Sequence, residues 1–258
     1  MVVLNERKYA EELLASEKFP DKPTSALNLL VRYFKEGGRN RGEVRKLLEE
    51  YLQQRDPQLN LIKWQRTIER SIRAQWKYEL IEIDSIPITR GEMEICESVK
   101  QRGSQRLMFT LICLAKFFNA VNEKNNGWVN QKDNDIFNAA NVKLTIRKQS
   151  IALMGLHDLG LIEFSNRVDN INIRVTCLSD PEDQDIVMQV TKFQDLGNQY
   201  LAYHGEKFLE CNMCGKLVRR TNNRQQHCRD CTAKINYKQK RISPTQKRTT
   251  AQFQQISG

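Results

Sequence analysis

Apolar side chains recur three and four positions apart in four stretches of the first 80 residues, and turn-forming residues separate these stretches. This spacing places the apolar side chains on one face of a helix, so each stretch predicts an amphipathic helix. Asn5 is suited to cap the first helix, and Gly37-Gly38 and Asp56-Pro57 mark breaks. The predicted helices run from Asn5 to about Ser16, from Lys22-Ser25 to Gly37, from Gly42 to Gln54 and from Asn60 to about Tyr78.

These four helices predict an N-terminal helical domain over residues 1–85. Charges of both signs are mixed along their polar faces, which is typical of a solvated surface. The following segment, Ile81 to Thr89, alternates only weakly between apolar and polar residues and contains Pro87. We therefore interpret it as a linker with room for one short strand.

Residues 105–159 carry the most regular pattern of the chain. It predicts helices from Gln105 to Val121, from about Gln131 to Ala140, and from an N-cap at Thr145 to Leu159. Gly160 suits the end of the third helix because glycine readily adopts the left-handed conformation found there. The side chains expected to pack inward from the third helix are Ala152, Leu153, Leu156 and Leu159.

A hairpin is predicted directly after the third helix. Leu161 to Phe164 forms its first strand, Ser165 to Asn170 its turn, and Ile171 to Thr176 alternates in the returning strand. Helix, helix, turn, helix and hairpin is the order of a winged helix-turn-helix, whose third helix enters the DNA major groove. We assign it to residues 90–178.

Residues 179–208 are expected to connect this unit to the C-terminal region, through a strand near Ile186 to Val190 and a short helix from Asp195 to His204. The predicted fold class is mainly α with a small β component (α+β). Its parts are an N-terminal helical bundle, a winged helix-turn-helix, a C-terminal zinc ribbon and a basic tail.

The C-terminal region differs from the rest of the chain in its charge. The chain has a formal net charge of +10, and from Cys211 onward eleven Lys and Arg residues face one acid, Asp230. Since 11 − 1 = +10, residues 1–210 balance at 30 − 30 = 0. A neutral body with a basic end indicates a protein that contacts a polyanion.

Four cysteines in the same region form two C-x-x-C pairs, Cys211/Cys214 and Cys228/Cys231, with 13 residues between the pairs. Two such turns supply four thiolates to a tetrahedral zinc ion, which predicts one structural Zn²⁺ within residues 209–235. No coordination position stays open for water, so the metal is expected to be non-catalytic. His227 is a rival ligand beside Cys228, but the cysteine spacing favours the four sulfurs.

Residues 236–258 form the predicted basic tail. Because four thiolates around one dication carry −2, the charge from Cys211 onward falls to about +8 when zinc binds.

Candidate nucleic-acid contacts in the winged helix are Lys143, Thr145, Arg147, Lys148, Ser150 and Arg167. The candidates in the zinc region and tail are Arg219, Arg220, Arg224, Lys238, Lys240 and Arg241.

The zinc sequence also carries a family resemblance. The run Cys211-Asn-Met-Cys-Gly-Lys-Leu-Val-Arg-Arg-Thr-Asn-Asn-Arg-Gln-Gln-His-Cys-Arg-Asp-Cys resembles the C-terminal zinc motif of uncharacterised prophage proteins of Gram-positive bacteria. Leu107 to Val175, with Leu114-Ala-Lys, Trp128-Val-Asn and Leu159-Gly-Leu-Ile, is similar to the winged-helix portion of that group. The resemblance implies a phage or mobile-element context and a DNA-related role, with no activity to transfer.

Several classes of protein are not indicated. The chain has no P-loop, no dinucleotide-binding glycine motif and no open metal site, so we expect a non-enzyme. No apolar run of 18 residues exists and the N-terminus lacks a signal-peptide pattern, so we expect no membrane association and a bacterial or host cytoplasmic location. Cys96, Cys113 and Cys177 stand singly and are expected to fill the core.

The leading hypothesis is a phage or mobile-element protein that binds double-stranded DNA, as a transcription regulator or a replication accessory. The alternative is an interaction protein that binds and inhibits or redirects a host nucleic-acid machine, such as a polymerase or a defence nuclease. Asp158, Glu163 and Asp169 offset the basic residues of the winged helix, which keeps this host-protein partner open. RNA binding by the zinc region is a third hypothesis, and the sequence leaves a homodimer open.

Overall fold

The computed structural model describes residues 2–166, 172–179 and 185–237 of the chain. Four predicted contact residues, Arg167, Lys238, Lys240 and Arg241, lie outside the described residues. The described part is mainly helical with three small sheets, which confirms the predicted α+β class.

The helices are α1 (Glu6–Ala15), α2 (Pro23–Glu36), α3 (Arg41–Arg55), α4 (Leu61–Gln75), α5 (Arg90–Ser98), α6 (Arg102–Val121), α7 (Asp133–Ala139), α8 (Ile146–Asp158) and α9 (Leu196–Tyr203), with a 3₁₀ turn at Glu123–Asn125. Residues 229–237 are also helical. The strands are β1 (Ile86–Thr89), β2 (Trp128–Val129), β3 (Ile162–Phe164), β4 (Ile173–Val175), β5 (Ile186–Val190), β6 (Phe208–Glu210) and β7 (Leu217–Arg219).

The chain divides into two compact units. Unit 1 comprises Met1–Arg90, Ala115–Trp128 and Asp180–Phe193. Unit 2 comprises Gly91–Leu114, Val129–Ser179 and Gln194–Gly258. The finer division into five sequence ranges stays a prediction.

In unit 1, helices α1 to α4 form the expected bundle. Asparagine caps begin three of them: Asn5 accepts from the Lys8 N–H, Asn60 from the Ile62 N–H, and Asn40 forms a capping box with Glu43. Because the apolar faces meet, the bundle buries one core: Ala10, Leu27, Leu29, Leu30, Val31, Val44, Leu48, Tyr51, Leu52, Ile68 and Ile72.

The predicted linker is more ordered than the sequence indicated. Ile86–Thr89 is the strand β1, which pairs antiparallel with β5, so that Ile86 lies opposite Val190. The two strands are about a hundred residues apart in the chain, and local sequence patterns carry no information on such a pairing. Ile86 and Ile88 are buried, which makes this segment part of the folded unit 1.

Unit 2 contains the helix-turn-helix elements α7 and α8 and a three-stranded sheet in the order β2-β4-β3. In the hairpin, Ile162 lies opposite Val175 and Phe164 opposite Ile173, as the alternation predicted. Thr145 is the N-cap residue of α8, although its side chain makes no capping hydrogen bond. The region has the element order of a winged helix.

One expectation for α8 is wrong. Leu153 and Leu156 are buried and Ala152 is half-buried, but Leu159 is 60% exposed. The helix ends at Asp158, and Leu159 is its C-cap, followed by Gly160 at a φ of +72°. The left-handed turn carries the chain out of the helical periodicity, so the position of Leu159 no longer follows the buried stripe.

Helix α5 was not anticipated, since its nine residues mix charged and apolar side chains. It buries Met93 and Cys96. Cys113 is also fully buried, as expected of a core filler, while Cys177 is half-buried. Among the described residues, no helix combines the length and apolarity needed to cross a lipid bilayer.

Candidate metal centre and basic surface

The first pair of cysteines lies on the hairpin of β6 and β7, in which Phe208 lies opposite Arg219. The Cys211 N–H donates to the Lys216 carbonyl (2.9 Å), and the Gly215 N–H donates to the Cys211 carbonyl (2.8 Å). Gly215 has a φ of +68°, a conformation that glycine adopts without steric cost. These bonds fold the chain so that Cys211 and Cys214 face the same point.

The second pair lies where the helical stretch 229–237 begins. The Cys231 N–H points at the Cys228 sulfur (3.4 Å), and the Thr232 N–H donates to the Cys228 carbonyl (2.9 Å). The two pairs are joined by a hydrogen bond from the Asn212 N–H to the Gln226 carbonyl (3.1 Å). These hydrogen bonds place the two turns side by side.

All four sulfur atoms lie within 4.8 Å of one another, and those of Cys214 and Cys228 are 3.7 Å apart. A tetrahedral zinc ion with Zn–S bonds of ~2.3 Å requires sulfur separations of about 3.8 Å. Cys211, Cys228 and Cys231 are buried and Cys214 is exposed. The cluster is consistent with one structural zinc site, as the sequence predicted.

The four thiols differ in acidity. Burial acts to raise the pKa of Cys211, but hydrogen bonds from neighbouring backbone N–H groups outweigh it and lower that pKa to about 5. The pKa of Cys231 is raised to about 12, first by the hydrogen bond with the Cys228 sulfur and then by burial. Without a cation, the cluster therefore retains protons. A bound dication displaces them, since only thiolates are metal ligands.

His227 is not part of the cluster of potential ligands in the described residues, which contains the four cysteines alone. Its ring Nδ1 is buried and has no hydrogen-bond partner. Four sulfurs already complete a tetrahedral shell, so the arrangement favours a cysteine-only site.

Residues 208–237, with the β6–β7 hairpin and the four cysteines, are called the zinc hairpin. Helix α9 attaches the zinc hairpin to the winged helix inside unit 2. Asn198 is 6% exposed and makes two side-chain bonds. It accepts from the Asn141 side chain (2.7 Å), in the turn before α8, and donates to the Leu217 carbonyl of β7 (2.7 Å). The Leu217 N–H in turn donates to the Asp195 carboxylate (3.1 Å). A single buried amide thus joins the two modules.

Close backbone packing reinforces this joint. A Cβ atom placed on Gly197 would lie 1.8 Å from the Ala140 carbonyl oxygen, which is well inside van der Waals contact. Only glycine fits here, so α9 lies directly against Ala140, the C-cap of the helix-turn-helix element α7. The zinc hairpin is consequently fixed in position relative to the winged helix.

Cations surround the hairpin. The exposed basic residues are Lys216, Arg219, Arg220, Arg224, Arg229 and Lys234. Residues 209–235 contain these six cations and two acids, Glu210 and Asp230, giving 6 − 2 = +4. One zinc with four thiolates contributes −2, so the metal-bound module retains +2. The remaining five cations from Cys211 onward lie in residues 238–258.

The three predicted arginines differ in their surroundings. Arg220 donates to the carbonyls of Asn222 (3.3 Å) and Asn223 (3.0 Å), so it shapes the loop between the pairs. Arg219 lies 3.4 Å from Glu206, although its side chain is 74% exposed. Arg224 is exposed on the same loop. Arg219 and Arg224 therefore present charge to solvent, while Arg220 is partly used internally.

On the winged helix, all five described candidates are exposed: Lys143, Thr145, Arg147, Lys148 and Ser150. Exposed apolar side chains lie beside them; the sequence placed Ile151 on the outer face of the helix, but Ile146 and Met154 were not anticipated. Ile146 is 78% exposed, Ile151 is 62% exposed and Met154 is 48% exposed. A helical wheel would have indicated their exposure, since these positions lie outside the stripe of Gln149, Leu153 and Leu156 that faces the core.

Comparisons with protein-family models, with curated proteins and with solved structures return no match for this chain.

Proposed function

We propose that the protein binds duplex DNA and acts for a phage or other mobile element, as a transcription regulator or replication accessory. The observation that carries the proposal is the joint at Asn198, which fixes a cationic, metal-binding hairpin beside a winged helix. Two surfaces held in fixed relative positions can contact one duplex without further ordering, which favours binding.

The zinc hairpin supplies the backbone contact in this proposal. Its exposed guanidinium and ammonium groups suit phosphate oxygens, and such contacts position a protein without selecting a sequence. Their contribution weakens as salt rises, with a log–log slope of about −0.9 for each neutralised phosphate.

In this proposal, any preference for a particular DNA sequence comes from helix α8. Arg147 and Ser150 are exposed near its N-terminus, where they are able to donate to base edges or phosphates. Ile146 and Met154 beside them offer apolar contact to thymine methyl groups. The positive end of the helix dipole lies at the same terminus and favours an anionic backbone.

The proposal is tested by fluorescence anisotropy with duplexes tiled across the genome that encodes the protein. The triple variant Arg219→Ala/Arg224→Ala/Arg229→Ala leaves Arg220 and the loop intact. We expect it to weaken binding about tenfold or more and to reduce the salt slope by roughly 2 to 3. The matched control removes three exposed cations from α4 instead: Lys63→Ala/Arg66→Ala/Arg70→Ala.

Equal losses in the two triple variants would contradict a contact at the zinc hairpin. Equal affinity for every duplex, abolished by moderate salt, would remove the sequence-specific part of the proposal. Displacement of the duplex by single-stranded RNA at lower concentration than by DNA would favour the RNA hypothesis instead.

A second candidate function is favoured by the exposed apolar side chains of α8. Ile146, Ile151 and Met154 form an apolar surface of the kind that marks protein contacts. Under this candidate, the winged helix docks on a host nucleic-acid machine and the basic hairpin occupies a site meant for nucleic acid. Nuclease treatment would then leave the complex intact, whereas an association bridged by DNA would dissociate.

A further inference from the structure

A groove in unit 2 runs between the start of α6, with the segment before it, and one face of α8. Its volume is about 690 Å³, within the range of pockets that bind ligands. Its apolar lining is Leu107, Val142, Leu144, Ile151, Leu156 and Leu159. Ile151 and Leu159 are more than half exposed, so the floor of the groove is apolar surface left open to solvent.

The charges around the groove have one sign. Lys100, Arg106, Lys143 and Lys148 line it, and no acidic residue does so among the described residues of the lining. Arg106 donates to the Asn141 carbonyl (3.0 Å), while its Nε is buried without a partner. Burial, and to a smaller extent the nearby Arg102, lowers the pKa of Arg106.

Two helical glycines border the same groove, and internal packing explains neither of them. A Cβ atom on Gly155 in α8 would meet nothing within 4 Å. A Cβ atom on Gly103 in α6 would meet only the Val142 side chain, at 3.9 Å. Glycine inside a helix is less favourable than alanine, so an advantage elsewhere is expected to offset it. Close approach of another backbone provides one.

From these observations we infer that the groove binds an acidic amphipathic helix of a partner protein. Apolar side chains of such a helix, spaced three and four residues apart, enter the groove and cover its exposed leucine and isoleucine side chains. Carboxylates on its flanks pair with the four cations at the rim, and its backbone passes over Gly155. The inference is independent of DNA binding by the zinc hairpin.

The inference also distinguishes two faces of α8. Lys148, Gly155 and Leu159 line the groove, whereas Arg147 and Ser150 do not. Lys143 and Lys148, which the sequence gave as candidate nucleic-acid contacts, are thereby given carboxylate partners. Arg147 and Ser150 stay available for the DNA contact proposed above.

The test uses the zinc-loaded full chain and a fluorescent helical peptide of about 20 residues, long enough to hold a helix. Leucines occupy positions i, i+3, i+4 and i+7 on one face of the peptide, glutamates flank that face, and alanines fill the other positions, because a continuous run of glutamates would destabilise the helix by repulsion. One control peptide has the same composition in scrambled order, and another has lysine in place of glutamate. Anisotropy at about 0.15 M salt, where surface charges are largely screened, measures the affinities.

We expect the acidic amphipathic peptide to bind and both control peptides to bind about tenfold more weakly or not at all. Lys143→Glu/Lys148→Glu is expected to weaken binding about tenfold or more by charge repulsion. Gly155→Leu fills the groove and should have a similar effect. Since leucine is a better helix former than glycine, this variant is expected to stay folded.

The matched control is Arg147→Glu/Ser150→Glu, which changes charge on the same helix outside the groove and should alter peptide affinity less than about twofold. Equal binding of the scrambled peptide, or an equal loss in this control, would overturn the inference. Duplex DNA that displaces the peptide, with Gly155→Leu abolishing DNA binding, would assign the groove to nucleic acid. A dimer that Gly155→Leu dissociates would assign it to a second copy.

Failure of this inference is distinguishable from failure of the proposed function. The hairpin triple variant should reduce DNA affinity and leave peptide affinity unchanged. Gly155→Leu should reduce peptide affinity and leave DNA affinity unchanged. Loss of both affinities in either variant would contradict the separation of the two surfaces.

Discussion

The N-terminal bundle and the zinc hairpin are stabilised by different forces within one chain. The bundle buries eleven residues in a shared apolar core. The core of the hairpin consists of Cys211, Cys228 and Cys231, with Val218 packed against them. Apolar burial of that extent supports a domain without a ligand, whereas three thiols and one valine do not. The bundle is therefore self-sufficient, and the hairpin depends on its metal.

The same difference determines what each region presents to solvent. The bundle is able to bury an ion pair: Arg32 pairs with Glu6 at 2.7 Å and both side chains are largely buried, although other cations of the bundle, such as Lys63, stay exposed. The hairpin is too small to bury charge and leaves most of its cations exposed. Dependence on a metal thus accompanies a surface that is free for an anionic partner.

The largest expected effect comes from removing the metal. We expect Cys228→Ser, or a strong chelator, to unfold residues 208–237 and leave the bundle folded. Structural zinc contributes about 10 to 16 kcal/mol in comparable small modules. Native mass spectrometry should show the loss of one zinc per chain, and hydrogen exchange should accelerate in the hairpin but not in the bundle.

Cys177→Ser serves as the control, because Cys177 is half-buried and lies outside the cluster. It should retain one zinc. If the hairpin of zinc-free wild-type protein were equally protected from hydrogen exchange, it would not depend on metal, and the contrast with the bundle would be wrong.

An intermediate effect is expected in the bundle. Leu30 is fully buried, so Leu30→Ala should lower the free energy of unfolding by about 2 to 5 kcal/mol. Denaturant unfolding monitored by tryptophan fluorescence measures it, since Trp64 and Trp76 pack against this core. Zinc content should stay unchanged.

Ile62→Ala is the matched control on the same bundle. Ile62 is 77% exposed, so the loss should stay within about 0.5 kcal/mol. Zinc release by Leu30→Ala would show that the two regions are not independently stabilised.

The smallest expected effect is a pH dependence at Asp195, beside the hairpin. Burial raises the pKa of this carboxyl, although the Leu217 N–H and Lys216 oppose the shift. A raised folded-state pKa contributes stability that is present below the unfolded pKa, about 3.9, and is lost as pH rises through the folded value. Asp195→Asn should remove this dependence.

The measurement is the difference in melting temperature between the wild type and Asp195→Asn across the pH range. Both proteins release the metal in acid, so taking the difference between their melting temperatures removes that shared contribution. The advantage of the wild type should fall as pH rises from about 4. An advantage that grows with pH would reverse the sign and show that the hydrogen bond to Leu217 dominates.

Local patterns account for much of the fold because most of it is helical. The spacing of apolar residues located α1 to α4 and α8 within a few residues, and the alternation after Gly160 located the hairpin. The two C-x-x-C pairs located the cysteine cluster, since four ligands at that spacing have few other uses.

Features made by distant residues escaped the sequence. The pairing of β1 with β5 and the bond between Asn198 and Leu217 join segments whose separation no periodicity reveals. The groove escaped for a different reason. Ile151 was expected to face outward, but Leu159 had the spacing of a core residue, and the groove that both line beside α6 emerges only from the fold.

The bridging amide of Asn198 has a thermodynamic consequence. Because the same side chain bonds Asn141 before α8 and Leu217 in the metal-binding hairpin, ordering either side lowers the entropic cost of ordering the other. Linkage is reciprocal, so a ligand that holds the turn before α8 also tightens zinc retention. Loss of the metal is therefore expected to loosen the turn before α8 as well.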